Sequence, residues 1–287
     1  MKFFLKTSTI LLCFLLFLST DALAQKKSRK MIKADQAFSA EQYNKAAELY
    51  KKVYQKAKSR ALKSEIIYKQ AECYRLSGNI KRAESYYKRA IKAKYPDVIV
   101  YLKYADILRM NEKYSEAKEQ YQKYIQLNPA DVAGEMGLKS CDYALNWMDN
   151  PTRYKVELMP LINSRFSDFS PSFGNGEYSE VYFTSSRSGG FSNKIDDRTG
   201  ETFTDIYSTK LNKKGKWSVP VMLEEPINTA GNEGSVVLNK RGTTMYFTKC
   251  DVQKKKSLGC NIYVSKRKGK VWGLQQFYKS KLTAIQL

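Results

Sequence analysis

Histidine is absent from all 287 residues of this chain. Histidine is the commonest general base in enzymes and the commonest ligand of transition metals in proteins. Catalytic sites built on a Ser-His-Asp or a Cys-His pair are therefore excluded, and so are metal centres bound through imidazole. We expect a protein that is not an enzyme and that holds neither a cofactor nor a metal ion.

Acidic side chains are also scarce, at 28 against 50 basic ones, which gives a formal net charge of +22. The excess is spread evenly: residues 25–150 carry 26 basic and 15 acidic side chains, and residues 151–287 carry 22 and 12. Such a field attracts acidic partners and weakens with salt. Nucleic acid is the first candidate partner for a cytosolic protein of this charge, but the N-terminus argues against that location.

Long apolar runs are missing except near the N-terminus. A positively charged start precedes an apolar run over residues 10–18, and Ala22-Leu23-Ala24 supplies a small-x-small cleavage pattern. The run is too short to span a bilayer comfortably. Residues 1–24 are therefore predicted to be a signal peptide, and the exported chain is expected to start at Gln25 in the periplasm. Outer-membrane association is the narrower expectation, and no nucleic-acid partner is expected.

Cysteine is rare, with four residues left after the predicted signal peptide. Cys250 closes one predicted strand and Cys260 opens the next, across a polar loop. The ends of two antiparallel strands face each other within disulfide reach, so we predict a bridge between these two cysteines. Cys73 and Cys141 fall in helices with another hairpin between them. Because packed helices lie roughly 8–10 Å apart, these two are expected to stay buried thiols.

Residues 31–147 carry an internal period. Alanines recur at intervals of 37 and 34 residues, each four residues before a tyrosine. These pairs are Ala46–Tyr50, Ala83–Tyr87 and Ala117–Tyr121. Upstream of each pair lies a predicted helix with a further alanine near its middle, and these alanines are Ala34, Ala71 and Ala105. The pattern predicts successive helical hairpins.

This spacing resembles the tetratricopeptide repeat, in which alternating small and aromatic positions let two antiparallel helices pack closely. Residues 67–96 and 101–129 hold most of the consensus positions, and residues 31–57 hold fewer. Residues 131–147 look like the helix that caps such arrays. The pattern departs from the family at Tyr124, where alanine is usual. The resemblance implies that residues 25–150 form an α-solenoid of tetratricopeptide hairpins with a capping helix.

The resemblance also implies a concave groove for a partner protein. Its candidate residues form an acidic row, an arginine row and two apolar positions: Asp35, Glu72, Asp106, Arg75, Arg109, Tyr68 and Leu102. Two interpretations stay open. The charges are either simple i,i+3 ion pairs on a wet surface, or they line a groove that binds a segment of alternating charge from an envelope protein.

After Asn150-Pro151 the composition shifts to short alternating runs separated by turns, which predicts an all-β segment. Four sequence elements recur there in the same order. They are Ile162-Asn163-Ser164 and Ile227-Asn228-Thr229; Val181-Tyr182-Phe183-Thr184 and Met245-Tyr246-Phe247-Thr248; Asp205-Ile206-Tyr207 and Asn261-Ile262-Tyr263; and Lys214-Gly215-Lys216-Trp217 and Lys268-Gly269-Lys270-Val271-Trp272. Each copy supplies about four strands, as one propeller blade needs.

These elements resemble the WD40-like propeller repeat of the TolB and Bacteroidetes envelope families. The resemblance implies that residues 151–287 are an incomplete antiparallel β-propeller of about two blades. Residues 280–286 align with the opening of the first copy, so we expect a truncated frame or a fragment. The loop over residues 187–204 is rich in carboxylates, but no regular ligand spacing supports a calcium site.

Tetratricopeptide hairpins followed by such a propeller resemble Bacteroidetes envelope proteins. Their longer members usually continue into an OmpA-like, peptidoglycan-binding domain, and some serve type IX secretion and gliding. The resemblance implies a non-enzymatic periplasmic scaffold that contacts envelope proteins, and its charge makes acidic envelope components further partners. Peptidoglycan is a partner only if a further C-terminal domain exists.

The alternative is a glycan-binding or hydrolytic propeller protein. Glycoside hydrolysis needs a facing pair of carboxylates, and the sequence offers the doublets Glu224-Glu225 and Asp196-Asp197. Adjacent residues of a strand point to opposite faces, so neither doublet makes such a pair.

Overall fold

The structure is a computed structural model that describes residues 28–253 and 256–278. The predicted signal peptide and the segment over residues 280–286 lie outside the described residues. Seven helices occupy the first half of the described chain. They are α1 (Arg29–Ser39), α2 (Tyr43–Tyr54), α3 (Arg60–Leu76), α4 (Ile80–Lys92), α5 (Ile99–Met110), α6 (Tyr114–Leu127) and α7 (Ala133–Asp149).

Each helix packs on its neighbours in the chain, which makes the first half an array of helical hairpins. The repeated alanines lie where helices meet, and all six are fully buried: Ala34, Ala46, Ala71, Ala83, Ala105 and Ala117. A methyl side chain lets two backbones approach closely, so the period found in the sequence is a packing pattern. The tyrosines that follow it, Tyr50, Tyr87 and Tyr121, are equally buried.

Two helices differ from the expected repeat. Helix α3 begins at Arg60, well before the start of the matched repeat, because the Ser59 hydroxyl caps it by accepting from the Leu62 amide. Helix α7 packs on α6 through Gly137, where an added Cβ would lie 2.2 Å from a Tyr121 ring carbon. Its other face exposes large apolar side chains to solvent, where a polar cap is usual: Met136, Tyr143 and Trp147.

None of the helices in the described part of the chain combines the length and the apolar composition needed to cross a bilayer.

The second half forms two antiparallel sheets. The first contains β1 (Asp168–Phe173), β2 (Glu180–Ser185), β3 (Asp205–Lys210) and β4 (Val221–Met222), paired in chain order. The second contains β5 (Asn232–Leu238), β6 (Thr244–Gln253), β7 (Lys256–Lys268) and β8 (Val271–Trp272), and β9 (Gln276–Phe277) also pairs with β7. Each copy of the sequence repeat is thus one meander of at least four strands. Closure into a propeller stays a prediction.

The two sheets share a core. Strand β5 packs against β1, β2 and β3, and the buried side chains between the sheets are Tyr182, Ile206, Ile227, Val236, Met245, Phe247 and Trp272. A polar contact joins the same faces: the buried Glu180 carboxylate lies 3.5 Å from Arg267 of β7. The Arg267 guanidinium also lies over the Trp272 ring, 5.2 Å from its centroid. The second sheet is therefore fixed to the first by both apolar and charged contacts.

Cys250 and Cys260, the pair predicted to form a bridge, occupy paired positions on β6 and β7 and are joined by a disulfide. Cys73 and Cys141 are free and buried in the helical half.

Removal of the disulfide is expected to destabilise the strand half alone. The bridge closes a loop with a sequence separation of 10, so the pair of substitutions Cys250→Ser and Cys260→Ser should cost about 2–3 kcal/mol. In a Trp147→Phe background, the fluorescence of Trp217 and Trp272 reports urea unfolding of the strand half, and helical circular dichroism reports unfolding of the helical half. An equal loss of unfolding free energy in the helical transition would show that the disulfide does not stabilise the sheets alone.

A second prediction concerns Asp205, which opens β3 and is only 1% exposed. One carboxylate oxygen accepts from the Phe191 amide at 3.0 Å, and the other, Oδ1, has no hydrogen-bond partner among the described residues. Burial raises the pKa of this group from 3.8 to about 6. A raised carboxyl pKa means that the folded state holds its proton more tightly than the unfolded state. Its contribution to stability is therefore full below about pH 4 and is lost as the pH rises through about 6.

The substitution Asp205→Asn is expected to raise the free energy of unfolding by about 1–2 kcal/mol at pH 7, because no buried charge remains. The second copy of the repeat already carries Asn261 at the matching position. Urea unfolding at pH 7 and at pH 4 tests this. A gain of the same size at both pH values would show that charge burial is not the cause.

Candidate partner-binding groove

The predicted acidic row is built into the hairpins by tyrosine hydroxyls. The Tyr50 hydroxyl donates to Asp35 at 2.7 Å, and the Tyr121 hydroxyl donates to Asp106 at 2.7 Å. Tyr87 donates to Glu72 in the same way. In all three cases the tyrosine lies 15 residues after the acid. Each acid on the first helix of a hairpin is thus bonded to the second helix.

Burial keeps these hydroxyls protonated. Desolvation raises the pKa of Tyr87, and the charge of Glu72 raises it further. Desolvation is also the largest cause of the raised pKa of Tyr50 and of Tyr121, followed by the hydrogen bond to the neighbouring carboxylate. All three groups therefore remain hydrogen-bond donors throughout the physiological pH range.

The arginine row behaves differently in the two repeats. Arg75 forms the expected i,i+3 ion pair with Glu72, with Nη2 and Oε2 2.7 Å apart. Arg109 instead donates from Nε to the Tyr121 hydroxyl at 3.3 Å, and that hydroxyl donates on to Asp106. The interpretation as simple i,i+3 ion pairs thus accounts for the repeat over residues 67–96 and not for the repeat over residues 101–129.

Asp35 also connects neighbouring hairpins. Its carboxylate lies 2.6 Å from Lys69 Nζ on α3, and both side chains are about a quarter exposed, at 25% and 27%. The same carboxylate accepts from Tyr50 of α2. One acid therefore links three helices.

The prediction that Leu102 lines the groove is wrong. Leu102 is 6% exposed and belongs to the helical core. Helix α5 is an interior helix that packs on both α4 and α6, so its apolar surface wraps around more of its circumference than a helix at the end of an array requires. Leu102 stabilises the fold and is not available to a partner.

Tyr68 does lie beside an open cleft. Its ring stacks on that of Tyr95, with centroids 4.2 Å apart and an interplanar angle of 6°. The adjacent cleft has a volume of about 450 Å³ and is lined by Ser59, Ala61, Leu62, Glu65, Tyr68, Lys69, Tyr95 and Pro96. The accessible part of the groove thus lies along the N-terminal half of α3 and the connection after α4. Sequence reasoning missed Leu62, Glu65 and Tyr95, although the Tyr95-Pro96 pair marks the end of the hairpin.

Within residues 28–253 and 256–278, no group of three or more cysteine, aspartate or glutamate side chains is arranged to hold a metal ion. Of the site residues predicted from sequence, Tyr68 borders the cleft, while the acidic and arginine rows are engaged in the hairpin contacts described above.

No protein-family model matches the chain, and no curated protein matches it. Several solved structures are similar to its helical half. The first TPR domain of human RPAP3 is 21% identical over 43% of this chain and 94% of that chain, with a TM-score of 0.37. The Sgt2 TPR domain of Aspergillus fumigatus is 18% identical over 45% of this chain and 87% of that chain, with a TM-score of 0.37.

The Hsp90 co-chaperone Cns1 of Saccharomyces cerevisiae is 17% identical over 42% of this chain, with a TM-score of 0.39. The chain spans only 39% of the length of Cns1 and 14% of that of the UNC-45 chaperone, another similar structure. The hairpin architecture itself rests on the helix contacts described above.

The acid–tyrosine bond can be tested in the second hairpin. Tyr87→Phe removes one donor from the partly buried Glu72 and is expected to lower the free energy of unfolding by about 1–2 kcal/mol. The matched control is Tyr101→Phe, because the half-buried Tyr101 hydroxyl has no hydrogen bond to any described residue. Urea unfolding measures both. Equal losses in the two variants would contradict a specific role for the Glu72 contact.

Proposed function

We propose that the chain is a non-enzymatic adaptor whose helical array binds an extended segment of a partner protein in the cleft beside Tyr68. The observation that carries this proposal is the stacked Tyr68–Tyr95 pair, which forms one wall of an open cleft on the helical array. Stacked aromatic rings offer a large, rigid apolar surface with hydroxyl groups at its edge, a combination that is enriched at protein interfaces.

The charges around the cleft indicate the chemistry of the ligand. The Lys69 ammonium lies between two carboxylates, 2.6 Å from Asp35 and 3.6 Å from Glu65. Arg75, with 28% of its side chain exposed, lies further along the same helix and is paired with Glu72. Charges of both signs thus follow the helix beside an apolar wall. A segment with an aromatic or aliphatic anchor between residues of opposite charge suits this surface best, and the net charge of +22 favours fast encounter with acidic partners.

Location in the periplasm is part of the same proposal. The signal-peptide pattern in residues 1–24 supports it. The disulfide between Cys250 and Cys260 also supports it, because such bonds persist in oxidising compartments. The partners are then envelope proteins, including components of the outer membrane or of a secretion machinery, and the two sheets form propeller blades that serve as a second module.

The rival function is glycan binding or hydrolysis by the strand half. The carboxylate doublet Asp196-Asp197 does not support it. Asp196 bonds within its own loop and to Asn232 of β5. Asp197 instead pairs with Lys45 of α2. The two carboxylates therefore serve separate structural contacts.

The test is binding of the full chain to an array of peptides that tile envelope proteins. Tyr68→Ser is expected to lower the affinity for the tightest-binding peptides about tenfold, which is a typical effect of truncating an aromatic anchor. Tyr143→Ser is the matched control, because Tyr143 is 63% exposed on α7, away from the cleft.

Circular dichroism of both variants verifies that the array is folded. Equal peptide binding by Tyr68→Ser and Tyr143→Ser would refute the cleft as the binding site. Release of reducing sugar from glycans by the unmodified chain would instead favour the hydrolytic alternative.

A further inference from the structure

The loop between β2 and β3, residues 187–204, contacts the helical half at the start of α2. The main-chain carbonyl of Asp197 accepts from the amides of Asn44 at 3.0 Å and of Lys45 at 3.3 Å. First-turn amides of a helix have no partner within the helix, and the side chain of Gln42, the N-cap residue of α2, makes no capping bond to them. The strand half therefore caps a helix of the other half.

Side chains reinforce this contact. Lys45 Nζ lies 3.1 Å from the Asp197 carboxylate, and Arg198 lies 2.8 Å from Glu41 in the α1–α2 turn. The Arg198 guanidinium also lies over the ring of Tyr43, 5.6 Å from its centroid.

Gly200 allows the loop to approach the helix. Its φ is +81°, and an added Cβ would lie 2.7 Å from Asn44 Cγ. Glycine is thus needed at this position for two reasons: it tolerates the positive φ of the turn, and it leaves room for Asn44.

The loop is held in shape by its own hydrogen bonds. The Asp196 carboxylate accepts from the Arg198 amide at 2.6 Å and from the Asn232 side chain at 2.9 Å. Glu201 accepts from the Ser186 hydroxyl. The carboxylates of Asp196 and Glu201 therefore shape this loop, which presents Asp197 and Arg198 to α2.

The contact between the loop and α2 lies at the opposite end of the helical array from the covalent linker. The linker that follows Asp149 leaves the last helix, and residues 150–158 of it are exposed. The loop reaches the first hairpin. The sheets are therefore joined to both ends of the array, once covalently and once through the loop. An array of nearest-neighbour hairpins has a curvature set by small rotations between repeats, so a rigid body attached at both ends restrains that curvature.

We propose that the loop over residues 187–204 is an intramolecular clamp that ties the first helical hairpin to the first sheet and thereby fixes the curvature of the helical array. This proposal does not depend on the proposed peptide-binding function. The two ion pairs of the clamp are about half exposed, at 43% and 51% for Lys45–Asp197 and at 58% and 59% for Arg198–Glu41. Exposed pairs are weak and are screened by salt, so the clamp is expected to loosen at high ionic strength.

The experiment measures the distance between the two ends of the array in the full chain. Lys33→Cys on α1 and Lys139→Cys on α7 place spin labels at two exposed positions, while the native thiols Cys73 and Cys141 are buried. Pulsed electron paramagnetic resonance then gives the distance distribution, and amide exchange of Asn44 and Lys45 reports the capped helix end directly.

Arg198→Glu places two carboxylates together at Glu41. It is expected to broaden the distance distribution and to speed exchange of the two amides roughly tenfold, through loss of one ion pair and one cation–π contact. Adding Glu41→Arg restores the pair with reversed sign and is expected to recover slow exchange. Raising the salt concentration to about 1 M is expected to change the distance distribution and the exchange rates of the unmodified chain in the same direction as Arg198→Glu does.

The matched control is Lys213→Glu, an exposed position between β3 and β4 with the same change of charge and no ion pair to any described residue. It is expected to change neither measurement. Unchanged distances and exchange rates in Arg198→Glu would overturn the proposal, and so would equal changes in Lys213→Glu.

Discussion

Close approach of paired helices is the constraint on which the helical half depends. Six alanines are fully buried where the helices meet, and each hairpin then fills the space beyond with one tyrosine. A buried hydroxyl needs a hydrogen-bond partner, since leaving one unpaired costs about 1–3 kcal/mol. The acid 15 residues upstream supplies that partner in all three hairpins. In each hairpin the small residues, the tyrosine and the acid therefore form one structural unit.

This unit changes which surface is free for a partner. The acidic row is committed to the hairpins, and one of the two arginines bonds to a tyrosine. An open cleft lies at the start of α3, where Tyr68 and Tyr95 stack. On the proposed function, recognition at this cleft depends more on an apolar wall edged by charges than on a ladder of alternating charges.

Most of the fold could be predicted from local periodicity in the sequence. The alanine–tyrosine spacing marked the hairpins, and the duplicated strand elements marked the two sheets. The facing strand ends placed Cys250 and Cys260 together. The missed features depend on contacts that no local pattern encodes. Leu102 is buried because α5 has neighbours on both sides, and the clamp joins Asp197 to Lys45 across a separation of 152 residues.

The clamp and the cleft are connected by an unbroken series of contacts. The clamp holds the first turn of α2 through Asn44. Helix α2 places Tyr50, which bonds to Asp35, and Asp35 pairs with Lys69 at the edge of the cleft. On the two proposals made above, a shift of α2 therefore moves the carboxylate that positions the Lys69 charge. Any free energy that couples binding in the cleft to closure of the clamp is the same in both directions, because coupling between two sites is reciprocal.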